Sequence, residues 1–178
     1  MKFQALVMKV RNIKREKIKL ILILVFITFC INGFAGDLPD PNISPGAVNL
    51  KITQDNIHET ICVKGYSKTV RPPTWYTNRL KKKQIKQYGY ADTDLREYEQ
   101  DNVVPISLAG DPTDPENEYP QPRNSEWNAD KKDKLELRLL NLVCNGNLPL
   151  STAQHDIAAD WIEAYKKCGG KKYHGDYY

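Results

Sequence analysis

Several residue patterns that would assign an enzyme class are absent from this chain. It has four cysteines and three histidines in 178 residues, but no Cys-x-x-Cys and no closely spaced histidine pair, which argues against a zinc site. No serine or cysteine stands in a glycine-flanked turn, and no glycine-rich phosphate loop occurs. The chain therefore lacks the patterns of serine or cysteine hydrolases and of nucleotide-binding enzymes.

The first 35 residues have the pattern of a secretory signal peptide. A basic segment leads into an almost unbroken apolar run over Ile18–Ile31, and Gly33-Phe34-Ala35 is a small-x-small cleavage site. Polar, proline-rich sequence follows without a stop-transfer cluster, which favours a secreted or periplasmic protein with no stable membrane association. The alternatives are an uncleaved anchor and a lipoprotein formed at Cys30, which follows the bulky Phe29.

The net charge of the chain depends on this leader. The whole chain carries +4, but seven basic residues and Glu16 give the leader +6, which leaves about −2 on the rest. A global basic field, the usual sign of a nucleic-acid-binding protein, is therefore absent from the mature chain. Any binding to nucleic acid would have to come from local patches.

Three cysteines follow the leader. An oxidising compartment favours one disulfide and leaves one thiol over, and sequence alone allows three pairings. We predict the pair Cys62–Cys144, because each of these residues closes a predicted helix inside the domain. Cys168 lies at the end of the last predicted helix and is expected to stay unpaired.

The element pattern predicts the α+β class, a mostly helical single domain around a small β-hairpin. Residues 36–50 are rich in proline, aspartate and asparagine and are expected to be an extended N-terminal segment. The domain is expected to cover residues 51–170. Residues 171–178 are expected to be a disordered tail.

Hydrophobic periodicity and turn residues place the elements within this domain. Two short strands are expected within Tyr98–Leu108, with Pro105 between them or at an edge, and residues 110–122 are expected to be a loop. The helices are expected near Ile57, over Thr77–Tyr88, over Trp127–Val143 and from a Ser151–Gln154 capping box onward.

The stretch Glu99–Gly110 carries the most informative chemistry. Asp101 and Asn102 end a strand, and Asn117 stands in the loop that follows. A strand that ends in an acid and a helix that starts with a polar residue, here Asn128, can present oxygen ligands to one hard divalent ion. Taken alone, Asp101 and Asn102 would be turn residues that bond their own backbone.

From about Thr60 to Tyr165 the chain resembles a family of small secreted bacterial proteins with the signatures of HNH (ββα-metal) endonucleases. The resemblance implies a ββα-metal core, binding of Mg²⁺ or Mn²⁺, and hydrolysis of phosphodiesters. The shared segments are Thr60-Ile-Cys62-Val, Val70-Arg-Pro-Pro73, Leu80-Lys81, Tyr88-Gly89, Asp101-Asn-Val-Val-Pro105, Asp111-Pro-Thr-Asp114-Pro with Asn117, Trp127-Asn128-Ala, Lys132-Asp133-Lys-Leu-Glu136, Leu142-Val-Cys144, and Ala153-Gln154 with Asp160-Trp161.

The resemblance also implies a role for each matching residue. Asp101 corresponds to the metal-binding acid and Asn128 to a second metal ligand at the start of a helix. Asn117 corresponds to the asparagine that orders the loop. Lys131 or Lys132, one helical turn beyond, corresponds to a lysine that faces phosphate.

Asn102 departs from the pattern, because the family has its general-base histidine at that position. An amide cannot accept a proton at neutral pH, and losing general-base assistance costs about 10²–10⁴-fold in rate. Two functions are therefore expected. One is an HNH-like metal-dependent nuclease whose activity is weakened or lost. The other is a non-catalytic secreted binding or envelope-associated module on the same scaffold.

A basic run crosses the predicted helix Thr77–Tyr88, with Arg79, Lys82, Lys83 and Lys86 among its members. Its plain interpretation is a solvated helix face. Its functional interpretation is a patch that follows the phosphates of nucleic acid, provided that the patch borders Asp101.

Overall fold

The computed structural model of the chain describes residues 36–169. The predicted signal peptide and the predicted tail at residues 171–178 lie outside the described residues. Within the described range the chain is an α+β domain, about half helical, with a two-stranded antiparallel hairpin, so the predicted fold class is confirmed. No helix in this range is both long enough and apolar enough to cross a bilayer.

The helices and strands are connected by loops that contain short 3₁₀ turns. The turns cover Gln54–Glu59, Leu95–Glu97, Ile106–Leu108 and Pro115–Asn117. The helices are α1 (Tyr66–Val70), α2 (Thr74–Gln87), α3 (Ala129–Cys144) and α4 (Leu150–Gly169), and the strands are β1 (Tyr98–Asn102) and β2 (Glu118–Pro122).

The hairpin forms from a different pair of segments than predicted. β1 begins where expected, but its partner β2 lies in the segment that was predicted to be a loop, and Asp101 pairs with Tyr119. The expected second strand is instead the buried turn Ile106–Leu108, which follows Pro105. Proline has no N–H to donate to a ladder, so a strand through Pro105 would be interrupted.

Two prolines are tolerated in β2 because of their register. Pro120 pairs with Gln100, and Pro122 pairs with Tyr98. The backbone hydrogen bonds at the two ends of the hairpin are donated by Val103 N and Arg123 N, which are odd-numbered residues, whereas both prolines are even-numbered. In an antiparallel ladder every second residue turns its N–H away from the partner strand. Both prolines occupy such outward positions, so neither removes a bond of the hairpin.

Local sequence accounts for the helix that follows the proline pair. α2 begins at Thr74 directly after Pro73, three residues before the predicted start, because Pro73 has the extended backbone of a helix cap. The helix ends at Gln87, and Gly89 adopts a left-handed φ of 69°. Glycine accepts this conformation without a steric penalty, as the sequence predicted for the stop.

The last helix begins differently from the prediction. Its first N–H, that of Leu150, donates to the Gln54 side chain at 2.7 Å, and Gln154 Nε2 donates to Leu108 O at 2.9 Å, so the Ser151–Gln154 capping box is wrong. The helix is also interrupted at Asp160, whose φ is −164°. The Asp160 carboxylate accepts bonds from two following N–H groups and caps the second half of α4.

The main core lies between α3 and α4. Leu135 and Leu139 of α3 pack with Ile157 and Trp161 of α4, and all four are at most 2% exposed. A second cluster of tyrosines lies between α2 and the hairpin, where the Tyr90 and Tyr98 rings stack at 4.8 Å. The second cluster joins α2 to the hairpin, and α3 contacts the hairpin through Lys132 and Asp101.

The predicted disulfide is present. Cys62 and Cys144 are joined across 82 residues of sequence, with their Cα atoms 5.7 Å apart. The bond attaches the segment after the first 3₁₀ turn to the end of α3. Cys168 is the free cysteine of the described residues, and it is buried.

Candidate functional site

The hairpin directs successive side chains of β1 toward different helices. Side chains alternate along a strand, so Asp101 and its neighbours Gln100 and Asn102 project to opposite sides. Asp101 contacts Lys132 of α3 at 3.0 Å, whereas Gln100 Nε2 donates to Gln84 of α2 at 2.7 Å. The strand end that the sequence singled out is therefore shared between two helices.

Lys132 lies at the centre of a buried charge cluster. Its side chain is 1% exposed, and its Nζ donates to Asn102 O at 2.7 Å and to Glu136 Oε1 at 2.6 Å. The same Nζ lies 3.0 Å from Asp101 Oδ2. A lysine ammonium has three donors and no acceptor. Two of the donors bond Asn102 O and Glu136 Oε1, and the contact with Asp101 Oδ2 is an ion pair without hydrogen-bond geometry.

The charged groups in this cluster change one another's pKa values. Burial alone would lower the pKa of Lys132, but the carboxylates of Asp101 and Glu136 outweigh it, and the Lys132 pKa is raised. Burial also raises the pKa of Glu136, against the opposing effect of Lys132. One ammonium thus balances two carboxylates in a setting where an unpaired charge would be very costly.

The structure brings together two residues to which the resemblance assigned separate roles. Asp101 was expected to bind a metal and Lys132, as one of two alternatives, to face phosphate. Here the two form an ion pair with each other, and the Lys132 ammonium points inward. Lys131, the other alternative, places its Nζ 4.4 Å from the ring centroid of Trp127, a cation–π contact.

Asn128, the expected second ligand, is the N-cap of α3. Its side-chain oxygen accepts a bond from Lys131 N at 3.3 Å. The residue lines a small recess together with Arg123, Ala129 and Asp130, whereas Asp101 lines a different one with Glu136. The capping contact satisfies a helix N–H that would otherwise lack a partner.

Asn117 is fully buried and connects the loops around the hairpin. Its side chain accepts bonds from Val104 N at 2.9 Å and Ala47 N at 3.3 Å, and donates to Val104 O and Asp111 O, both at 2.9 Å. Gly110 lies against this junction, where an added Cβ would be 1.8 Å from Val104 O. The loop is therefore ordered by one carboxamide and by a glycine that leaves room for the backbone.

Asn102, at the position of the missing base, also has other partners. Its backbone N–H donates to Asp101 Oδ1 at 2.8 Å, and its Nδ2 lies 3.4 Å from Glu118 Oε1 on the paired strand. His155 is 79% exposed on α4 and His58 is exposed on the first 3₁₀ turn. Neither histidine lines the recesses beside Asn102.

An open polar cleft runs along the outer edge of β1. One part, of about 140 Å³, lies between the start of α2 and Glu118, and the other, of about 170 Å³, lies beside Glu136. Both parts are lined by Arg71, Gln100, Asn102 and Ile106. Within residues 36–169, no three His, Cys, Asp or Glu side chains are grouped so as to hold a metal ion.

Sequence reasoning missed three residues of this cleft. Arg71 and Glu136 were noted only as parts of segments shared with the family, and neither received a role. Glu118 lay in the expected loop and received no role. A register that pairs β1 with residues 118–122 would have identified Glu118, because it stands directly opposite Asn102.

Glu118 is, with Glu136, one of two acids of the cleft whose pKa is strongly raised by burial. It is 3% exposed, and burial raises its pKa to about 7, although hydrogen bonds from Gln100 and Asn102 oppose the shift. A carboxyl group that binds its proton near neutral pH occurs often at functional sites, where it can serve as a donor or as an acceptor.

The Glu118 pKa predicts a pH dependence of stability. The folded-state pKa is above the usual 4.5, so the stabilising contribution is full below that value and is lost as the pH rises through about 7. Between about pH 5 and about pH 8, wild type should lose about 2–3 kcal/mol more unfolding free energy than Glu118→Gln. Urea denaturation of both proteins at the two pH values measures this difference, and equal losses would contradict it.

The basic run of the sequence lies on α2. Arg79, Lys82, Lys83 and Lys86 are exposed. Lys81 instead turns inward, and its Nζ donates to Leu95 O and Tyr98 O at 2.9 Å each. The start of the same helix lines the cleft through Thr74 and Thr77.

Comparison with known proteins found no relative from which a function could be inferred. No family model matches the chain, and neither curated proteins nor solved structures provide a match.

Proposed function

We propose that this protein is an exported, non-catalytic binding module on an HNH-like scaffold, in which the Lys132 ammonium takes the place of a divalent ion beside Asp101. One observation carries the proposal. The Lys132 Nζ lies within 3.0 Å of oxygen atoms from Asp101, Asn102 and Glu136 and is closed off from solvent.

A metal ion at Asp101 would have to compete with this ammonium. Displacing it would leave a charged lysine buried without a partner, and breaking a buried pair in this way costs about 3–5 kcal/mol. Mg²⁺ also keeps several of its waters and needs room for them. The internal cation therefore favours a site that works without a metal.

The nuclease mechanism requires a general base as well as a metal, and Asn102 cannot act as that base. Glu118 faces the same position from the paired strand, but it is engaged with Asn102 and is 3% exposed. The cleft instead offers amide, hydroxyl and carboxyl groups together with the Arg71 guanidinium. This set suits hydrogen-bonded recognition of a small polar group.

The expected leader and the disulfide support the exported part of the proposal. Cys62–Cys144 is a bond of the kind that persists in oxidising compartments and is rare in the cytosol.

Plasmid nicking with Mg²⁺ or Mn²⁺ tests the non-catalytic part. We expect no cleavage by wild type. We also expect none by Asn102→His, because restoring the base leaves Lys132 paired with Asp101. Wild-type cleavage that disappears in Asp101→Asn would overturn the proposal in favour of an active metal nuclease.

A thermal-shift titration with the same metals gives an independent readout. A site that binds metal stabilises the folded state by about 2.7 kcal/mol at a hundredfold excess over the dissociation constant. We expect no shift for wild type and none for Asp101→Asn. A metal-dependent rise in Tm that Asp101→Asn removes would contradict the proposal even if nicking were absent.

A further inference from the structure

The exposed face of α2 has an unusual arrangement. At 100° per residue, Trp75, Arg79, Lys82, Lys83 and Lys86 fall within an arc of about 100°. All five are exposed, and Trp75 is 67% exposed. We call this stripe the basic face of α2. It is about 16 Å long at 1.5 Å per residue.

The positive charges of the basic face are not balanced by acidic side chains on the same helix, as they usually are on a solvated helix. α2 contains no aspartate or glutamate. In the part of the chain that the structure describes, none of its four exposed cations makes an ion pair or a side-chain hydrogen bond. Arg79 and Lys83, like Lys82 and Lys86, stand four residues apart, a spacing at which like charges destabilise a helix. An anionic partner would relieve this repulsion.

The arrangement of the face indicates what kind of partner fits. Its charges lie in a row along one side of a helix and line no groove among the described recesses, an arrangement that suits a broad anionic surface. We propose that the basic face of α2 docks on the surface of a bilayer that contains anionic phospholipid, with Trp75 at the level of the headgroups. Tryptophan favours that interface, and each nearby lysine or arginine adds attraction to an anionic leaflet.

Nucleic acid, the partner that the functional interpretation of the basic run would give, fits this geometry less well. Proteins that bind single strands use a positively charged groove lined by several aromatic platforms, whereas this face has a single exposed tryptophan. The cleft beside the helix has four carboxylates, those of Glu99, Asp101, Asp133 and Glu136. They outnumber the nearby cations Arg71 and Lys132, so the cleft does not extend the positive surface that a phosphate chain requires. The bilayer proposal concerns a different surface from the cleft and does not depend on the cleft being non-catalytic.

Co-sedimentation with vesicles tests the proposal. The purified protein is mixed with phosphatidylcholine vesicles, with or without phosphatidylglycerol. We expect binding only to the anionic vesicles and its loss at high salt. Changing all four cations, as Arg79→Gln, Lys82→Gln, Lys83→Gln and Lys86→Gln, should weaken binding by at least about 100-fold, because each charge contributes about fivefold.

A matched variant separates this face from net charge. Lys51→Gln, Lys64→Gln, Lys68→Gln and Lys134→Gln also remove four exposed cations, but outside α2, and binding should stay within about threefold of wild type. Trp75→Ala should weaken binding while keeping the salt dependence. Equal losses in both charge variants, equal binding to neutral vesicles, or tighter binding to a single-stranded oligonucleotide through the same four residues would each overturn the bilayer proposal.

Discussion

Replacing Lys132 with methionine should lower the unfolding free energy by about 3–5 kcal/mol, measured by urea denaturation. Methionine fills a similar volume but leaves Asp101 and Glu136 facing each other without a cation. The two carboxylates can then avoid the cost only by binding protons. The pKa of Glu136, which burial already raises in wild type, would rise further because the opposing effect of Lys132 is gone. The loss in Lys132→Met should accordingly be larger at about pH 8 than at about pH 5.

A neutral version of the same cluster is the control for this prediction. Asp101→Asn and Glu136→Gln, added to Lys132→Met, remove all three charges and keep the shapes. Exchanging a buried ion pair for uncharged groups is often close to neutral, so the triple variant should regain most of the loss. Two outcomes would contradict the prediction that Lys132 neutralises buried carboxylates. One is a loss of less than about 1 kcal/mol in Lys132→Met, and the other is a triple variant that is no more stable than Lys132→Met.

Removing the disulfide should have a comparably large effect. Cys62 and Cys144 close a loop of 82 residues. The chain-entropy relation gives about 4–5 kcal/mol for a loop of this length, and measured losses for native disulfides are about 2–5 kcal/mol. The double variant Cys62→Ser/Cys144→Ser should therefore unfold at much lower urea concentration than wild type.

Cys168→Ser provides the comparison, because it removes the third cysteine and leaves the pair intact. It should cost far less than the double variant, since it makes no cross-link. Peptide mapping without reductant is the direct check on the pairing. A peptide that links Cys168 to either of the other cysteines would contradict this arrangement of the chain.

The elements that sequence predicted well depend on neighbours within a few residues. α2 follows the prolines before it and ends before a glycine that takes the left-handed conformation. α3 begins directly after Asn128, whose side chain caps it. Such start and stop signals act locally, through backbone conformation and the first free N–H groups, and they can be read without knowing the fold.

The hairpin shows where this kind of reasoning fails. The partner of β1 had to be chosen among several short segments. The nearest candidate contained Pro105, and the true strand contains two prolines that register alone makes acceptable. The cap of α4 presents the same difficulty, because its partner Gln54 lies 96 residues earlier in sequence. Strand pairing and distant caps depend on packing that local propensity does not describe.

In the candidate site, too, the residues themselves were recognised from sequence, whereas their contacts with other elements were not. Asp101, Asn102 and Asn117 were recognised from sequence as one region, and the structure places their side chains around one hairpin. Sequence spacing could not show that the Asp101 carboxylate forms an ion pair with Lys132. It also could not show that Glu118 faces Asn102. Both contacts join separate elements, and their effects on charge come from burial, which is a property of the folded chain.

By itself the sequence determined the α+β class and the course of α2 and α3, because caps and periodicity are encoded within or beside each element. It left three cysteine pairings open, and the structure selects the predicted pair Cys62–Cys144. Only the tertiary structure decided which strand completes the hairpin and what Asp101 contacts. The docking of α3 buries the Lys132 ammonium against two carboxylates, and a buried charge is stable only where its partners are already in position.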